Sequence, residues 1–286
     1  MIKSQLKLSV KLTTYIILTA LSVLLAAPFM YVISIALASD STTVKAAFTF
    51  IPREFYWENF IRVFTIDLNF ARFFFNSTTL VVFAIIGQVV ASSMVAFAFA
   101  RLRAPGKNLL FMILLSTLMI PGQVTMIPSF VIFRKLGWID TLLPLIVPNF
   151  FGNAYNVFLL RQFITRIPVE LDEAAKLDGL GFFGIYARII LPLLKPALVA
   201  IAIFTFTANW GWFMGPLIYI NDVDKAPLAL GVQILSATSS AGQIPPWNLV
   251  MVGALLLTLP MLIVYFFGQK YMDEFGLISG GSASIK

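Results

Sequence analysis

Cysteine and histidine are both absent from this 286-residue chain. Without cysteine there is no disulfide framework and no thiolate metal site. Without histidine the chain lacks the commonest general base and the commonest transition-metal ligand. Charge is scarce as well. Asp, Glu, Lys and Arg make up 12% of the residues, about half the share of a soluble globular protein. No Gly-x-x-x-x-Gly-Lys-Ser/Thr loop is present, so the chain lacks the phosphate cradle for binding ATP itself.

Long uncharged runs take the place of charge. Hydrophobic residues make up 59% of the chain, and the mean hydropathy is +0.92. Uncharged windows cover 12–39, 73–100, 108–133, 141–160, 196–221 and 226–269. Crossing a hydrocarbon core of about 30 Å takes about 20 helical residues, so each of the first five windows fits one helix. The sixth is too long for one helix and polar from Ser236 to Gln243, which leaves 247–268. The expectation is an all-α membrane protein with six transmembrane helices, at about 14–38, 73–100, 108–127, 141–163, 196–219 and 247–268. Pro121 and Pro128 should break the third near its outer end. The first run is too long for a removable signal peptide, and no suitable cleavage site follows it.

A net charge of +7 could suggest nucleic acid, but the basic residues fall in loops between the runs and report topology instead. Thirteen lie at the N-terminus, after the second span, after the fourth and in the tail; seven lie in the remaining loops. The more basic side is the cytoplasm, which places both termini inside. The external segment 39–72 carries Trp57, Phe60, Ile61 and Phe64 on one helical face. It reads as a short helix lying on the membrane interface or on the bundle.

The main polar island runs from Arg161 to Lys195. Pro168 ends the fourth span by disfavouring helical geometry at Ile167, then opens a new helix as a first-turn residue. Glu170, Asp172 and Glu173 crowd its first turns, where the macrodipole favours anions. Gly179 and Gly181 can adopt the left-handed geometry that stops it. A second short helix follows at about 182–190, with Phe182, Tyr186, Ile189 and Ile190 on one face. Helices this short are marginal alone and need a surface to dock on; Ala174 and Ala175 permit close approach. The bland alternative is an amphipathic loop lying on lipid.

Glu173-Ala174-Ala175, three residues, Gly179, nine residues, then Ile189-Ile190-Leu191-Pro192 resembles the cytoplasmic coupling loop of bacterial ABC importer permeases. Further stretches carry the resemblance over almost the whole chain: Trp57-Glu58-Asn59-Phe60, Phe75-Asn76-Ser77, Met119-Ile120-Pro121, Phe158-Leu159-Leu160-Arg161-Gln162-Phe163 and Gln269-Lys270-Tyr271. The chain is similar to the second permease subunit of carbohydrate-uptake transporters of the maltose and glycerol-phosphate type. That resemblance implies a type I ABC importer permease fold, N-in/C-in, in the bacterial plasma (inner) membrane. It implies a homologous second permease, two ATPase subunits that bind the ATP and Mg, an external solute-binding protein and a carbohydrate substrate. It implies no cofactor or catalytic residue in this chain, and nucleic acid is not a partner.

The same resemblance places the ATPase contact on the loop 164–195, with Glu173 and Gly179 as its main positions. Ala174, Ala175, Asp178, Phe182, Leu191 and Pro192 complete the motif. The organisation implied is an N-terminal stretch 1–13, a first helix with external segment 14–72, a core 73–268 and a tail 269–286. Two features depart from the family pattern. The tail after Tyr271 lacks a Gly-rich ending, and Asn209-Trp210-Gly211-Trp212 replaces a Trp-Asn-Asp pattern.

Uncharged polar groups also lie inside the spans: Asn76, Gln88, Gln123, Asn149, Asn153, Asn156 and Asn209. Their ordinary role is bonding between helices; the other reading is a lining for a hydroxyl-rich solute. Asn149, Asn153 and Asn156 would share one helix face at i, i+4 and i+7. Trp210, Trp212 and Phe213 could stack on sugar rings or anchor at the interface. Gly211 and Gly215 could mark a close helix crossing. A self-powered carrier or channel is the rival class, but no ionisable residue lies deep in a span, whereas ion-coupled carriers rely on such groups or on broken ion-binding helices. An intramembrane enzyme is disfavoured by the missing His, Cys and paired carboxylates.

Overall fold

The computed structural model describes residues 8–40, 55–66, 68–237 and 245–279, and the regular structure among them is helical. Among the described residues, four helical stretches are long and apolar enough to cross a membrane, or up to six if each of two bent pairs is one span. The chain forms two compact units, residues 1–69 with 232–258 and residues 70–231 with 259–286.

In the first unit, α1 (Leu8–Ala36) has a mean hydropathy of 2.4 over its span, and almost none of that span is covered by the protein. A helix that is apolar all round and uncovered belongs in lipid. The short helix expected in the segment 39–72 is α2 (Asn59–Thr65), but its packing reverses the expectation. Trp57, Ile61 and Phe64 point outward, while Asn59 and Val63 are buried. The cause is an unmet hydrogen-bonding demand at the end of α1, where terminal carbonyls lack helical partners. The Asn59 Nδ2 donates to the carbonyls of Ala36 and Ala38, both at 2.9 Å. Asn248, at the start of the last helix, donates to Asp40 Oδ1 at 2.7 Å, and Arg62 pairs with Asp40 at 3.1 Å. Much of the expected external segment (41–54 and 67) and the N-terminal residues 1–7 lie outside the described residues.

The second unit is organised on α3 (Phe70–Arg101), against which α7 (Ala154–Ile164) and α11 (Lys195–Trp210) pack. Small residues make those contacts close. Ala96 on α3 and Ala197 and Ala200 on α11 are fully buried, which suits packing between membrane helices.

Three of the expected spans are broken. The third is α4 (Lys107–Ser116), a 3-10 turn (Thr117–Met119) and α5 (Gly122–Lys135), bent by 101°. Pro121 makes the break in an extended conformation, whereas Pro128 sits inside α5. The fourth is α6 (Leu143–Ile146), a 3-10 turn (Val147–Phe151) and then α7. Gly152 separates the last two with φ 78° and ψ 158°, a region essentially reserved for glycine. Asn149, Asn153 and Asn156 therefore do not share one helical face.

The fifth expected span ends early. The helix α11 stops at Trp210, and α12 (Met214–Tyr219) follows a break. Leading into α11 are α8 (Glu170–Leu177), α9 (Phe182–Ile185), a π-helical turn (Tyr186–Ile190) and α10 (Leu191–Leu193). The segment 182–193 meets α11 at 77°. An unanticipated apolar helix, α13 (Leu228–Ala237), precedes α14 (Trp247–Ser279). The last helix continues past the expected end at 268, and most of the polar stretch 236–243 and of the small-residue tail lies outside the described residues.

Asp140 clasps two loops of the second unit. Its backbone is left-handed, with φ 64°. Its N–H donates to the Tyr219 carbonyl at 2.7 Å. Its Oδ1 accepts from the N–H groups of Asn221 and Asp222, and its Oδ2 pairs with Lys225 at 2.7 Å. Lys225 and the two backbone donors lower the Asp140 pKa from 3.8 to about 2, and Asp140 raises that of Lys225. A lowered carboxyl pKa adds stability above the unfolded value, lost as pH falls from about 4 towards 2; a raised lysine pKa adds stability lost only above about pH 10. Hydrogen-exchange protection of the Asn221 and Asp222 amides, corrected for intrinsic rates, should stay level from about pH 5 to 9 and fall below about pH 4. In Asp140→Asn the acid step should vanish, since Asn tolerates the left-handed backbone without the titrating charge.

Candidate coupling surface and solute cavity

The motif loop is docked on its own chain. Asp172 on α8 pairs with Arg101, the last residue of α3: Nε lies 2.8 Å from Oδ2, with side-chain exposures of 8% and 7%. The Nε–H is off the line to that oxygen, so the contact is an ion pair rather than a linear hydrogen bond. Arg101 also donates Nη2–H to the Ile167 carbonyl at 2.6 Å. One guanidinium thus holds both the turn that enters α8 and the helix itself.

A second anchor lies eight residues back along α3, about 12 Å along the helix. Tyr186 Oη is 2.8 Å from Ser93 Oγ. The serine hydroxyl donates to the Val89 carbonyl at 2.6 Å, so with its single proton engaged it accepts from Tyr186. Apolar packing joins these points. Ala175, Ile185, Tyr186 and Ile190 are buried in the same core as Ala96 and Phe97 of α3 and Leu160 of α7.

This geometry sorts the motif residues into two faces. Glu173, Ala174, Asp178, Gly179, Phe182 and Pro192 are exposed, and Leu191 is half-buried. Ala175 faces the chain's own core instead. Gly179 adopts φ 82° and ends α8 as expected. Phe182 does not share a face with Tyr186 and Ile190, because the helix changes to π register at Tyr186. The exposed face is also apolar: Leu177 is 90% exposed, and Phe182 and Phe183 stand beside it in the loop, largely exposed. Lys176 lies 5.7 Å from the Phe182 ring. An apolar patch rimmed by charge marks an interaction surface.

The candidate solute residues separate as well. Asn156 is buried and donates to Gln88 Oε1 at 3.1 Å. Asn153 caps α7 by accepting from the Tyr155 N–H at 2.8 Å. Trp210 is buried, stacked on Phe206 and edge-on to Phe74. These three serve the fold. Asn149, Asn209 and Trp212 instead line one cavity of about 680 Å³, with Gln123, Ser129 and Tyr219. Asn149 is reached from α3, since Gln88 donates to its Oδ1 at 3.2 Å. The helix whose end holds the motif loop therefore also holds an edge of the cavity.

The sequence pattern of the binding-protein-dependent transport system inner membrane components matches residues 88–274. The chain belongs to that family. It is 34% identical to the ABC transporter permease protein ORF2 of Caldicellulosiruptor sp. over 93% of this chain and 95% of that one. It is 30% identical to the polygalacturonan/rhamnogalacturonan transport system permease protein YtcP of Bacillus subtilis, over 88% of this chain and 90% of that one. Its fold matches a chain of a bacterial ABC transporter that imports the acidic polysaccharide alginate, with TM-score 0.82 and 23% identity over 95% of this chain and 99% of that one. The permease is thus a membrane subunit of an ABC importer, a class that works with a solute-binding protein and does no covalent chemistry itself.

Sequence reasoning found the permease's motif loop but missed what fixes it. Arg101 read only as a topology charge, and Asp172 only as a helix-start anion. Tyr219 and Ser129 gave no signal, because a lone Tyr or Ser in an apolar run is unremarked until the chain folds.

Removing one partner of a buried ion pair costs about 3–5 kcal/mol, because the other charge is left unpaired. Thermal unfolding of purified Arg101→Met and of Asp172→Leu should each show a loss of that order. The double variant should lose less than the sum, with a coupling of about 0.5–3 kcal/mol. Strict additivity would show that the pair does not hold the loop.

Proposed function

We propose that the permease forms half of a translocation pathway for a carbohydrate in a bacterial inner membrane. An external binding protein delivers the solute, a homologous second permease forms the other half, and two ATPase subunits supply the energy. Both termini face the cytoplasm. The single observation that carries this reading is the outward surface of Glu173, Leu177 and Phe182, on a loop tied from behind to α3 by Arg101 and Asp172. A short loop that is rigid at its back and sticky at its front suits transmission of force from a partner. The carbohydrate assignment is supported by the name of the Bacillus subtilis relative and by a cavity lined with amides and aromatic rings.

In this reading, closure of the ATPase dimer moves the docked α8. Arg101 and Tyr186 pass that displacement to α3 as a rigid-body step, the way packed elements switch between two arrangements. The move reaches the cavity through Gln88 and Asn149. The chain contributes no nucleotide chemistry; ATP and Mg are held by the partner.

Glu173→Lys tests the docking. The side chain is exposed, so folding and thermal stability should stay near those of the parent protein. ATPase subunits should no longer co-purify, and ATP-dependent uptake should fall by more than about tenfold, equivalent to about 1.4 kcal/mol or more of lost coupling. Retained co-purification with full uptake would move the ATPase contact elsewhere. Uptake by this chain alone in liposomes, without ATPase or ATP, would favour a self-powered carrier.

A further inference from the structure

The cavity of about 680 Å³ falls within the usual range for a small-molecule site, about 300–1,000 Å³. Among the described residues, no Asp, Glu, Lys or Arg lines it. Arg134 and Lys135 follow Phe133 on α5 but are not part of the lining, and Lys225 is engaged by Asp140 and Asp222. An anionic group entering such a space would leave water without gaining a cation, which is costly in a low-dielectric setting.

What lines the cavity suits hydroxyls and ring faces. Asn209 donates Nδ2–H to the Thr205 carbonyl at 2.8 Å, which fixes its amide and leaves Oδ1 to accept. Asn149 is fixed from both ends, donating to the Leu145 carbonyl at 2.8 Å and accepting from Gln88. Gln123 supplies a further amide on α5. Fixed amides that donate and accept match hydroxyl groups, which do both.

Trp212 supplies a flat apolar surface, and its position depends on Gly215. A Cβ at Gly215 would fall 2.4 Å from the indole ring. Only glycine lets the ring lie so close to α12 while lining the cavity. Tyr219 is held by Phe130, stacked at 6.4 Å, and by Phe133, edge-on at 5.4 Å. The aromatic wall is therefore set by packing rather than left to swing.

We infer that this cavity is a saccharide subsite belonging to this permease itself and selective for uncharged sugar rings. Trp212 is the stacking platform, and Asn149, Asn209 and Gln123 bond the hydroxyls. The inference rests on the carbohydrate reading above and sharpens it. It sets this chain apart from the relative named for polygalacturonan, a polymer with a carboxylate on each galacturonate ring.

The test uses the complete transporter, both permeases with the ATPases, in proteoliposomes with its binding protein. A mixture of xylotriose, mannotriose, cellotriose, trigalacturonate and sn-glycerol-3-phosphate is offered with ATP, and imported solutes are measured by mass spectrometry. At least one neutral trisaccharide should enter about tenfold faster than either anion, a difference of about 1.4 kcal/mol. Trp212→Ala and the near-isosteric Asn209→Asp should each raise KM for that sugar about tenfold, with a smaller change in maximal rate. Asn209→Asp decides the matter where Trp212→Ala does not assemble. Preferential import of an anion, or an unchanged KM in the assembled variants, would overturn the subsite; as long as any saccharide enters, trigalacturonate included, the carbohydrate reading stands. Import of none of the saccharides, neutral or anionic, would overturn the carbohydrate reading as well.

Discussion

The ion pair between Arg101 and Asp172 is the contact on which the motif-loop end of this permease depends. Its two charges are almost wholly buried in a protein where few residues carry charge. Burying both is justified only if each satisfies the other, since desolvating a lone charge costs several kcal/mol. The geometry adds a second constraint: the same guanidinium binds the Ile167 carbonyl, at the turn where the chain leaves α7. Three elements, α3, the turn before α8 and α8 itself, are thereby fixed by one side chain. With Tyr186 bonded to Ser93, the motif loop becomes an extension of α3 rather than a mobile connection.

That constraint changes what the short helices mean. A helix of under three turns is marginal in water, so α8 needs a partner surface. Its own chain supplies one through Ala175 and the core shared with α3 and α7. Glu173, Leu177 and Phe182 are then free to face outward. The loop has two sides, one packed against the membrane helices through Ala175 and one exposed at Glu173, Leu177 and Phe182.

A second consequence follows along α3. Gln88 bonds both Asn149 and Asn156, and Ser92 bonds Gln88. The 3-10 turn that carries Asn149 crosses α3 closely: a Cβ at Gly87 would lie 2.8 Å from the Phe150 ring. One helix therefore carries the ion pair at its end, the tyrosine anchor behind it and a polar ladder beside the cavity. Prolines and glycines shape the rest. Pro121 turns α4 into α5, and Gly152 turns the 3-10 segment into α7. These breaks place amides and rings on short segments around an open space, as happens where irregular backbone lines a cavity in a membrane protein.

The sequence by itself determined what local chemistry and composition govern. Six apolar stretches and the scarcity of charge placed the chain in a membrane, and the missing phosphate loop left it without that ATP-binding motif. Pro168, the acids after it and Gly179 marked the limits of α8 through capping preferences that act within a few residues. Family membership, too, was legible, from the spacing between Glu173, Gly179 and Pro192. Tertiary structure decided everything that depends on which faces meet. Asn149, Asn153 and Asn156 have a helical spacing, but a glycine with φ 78° at position 152 sends them to three different tasks. Trp57 and Ile61 have an amphipathic spacing, but orphan carbonyls at the end of α1 recruited Asn59 and turned the apolar face outward. Arg101 and Asp172 lie 71 positions apart, and no periodicity links them. Long-range pairing follows from the net cost of burying polar groups across the whole fold, a sum that no window of sequence contains.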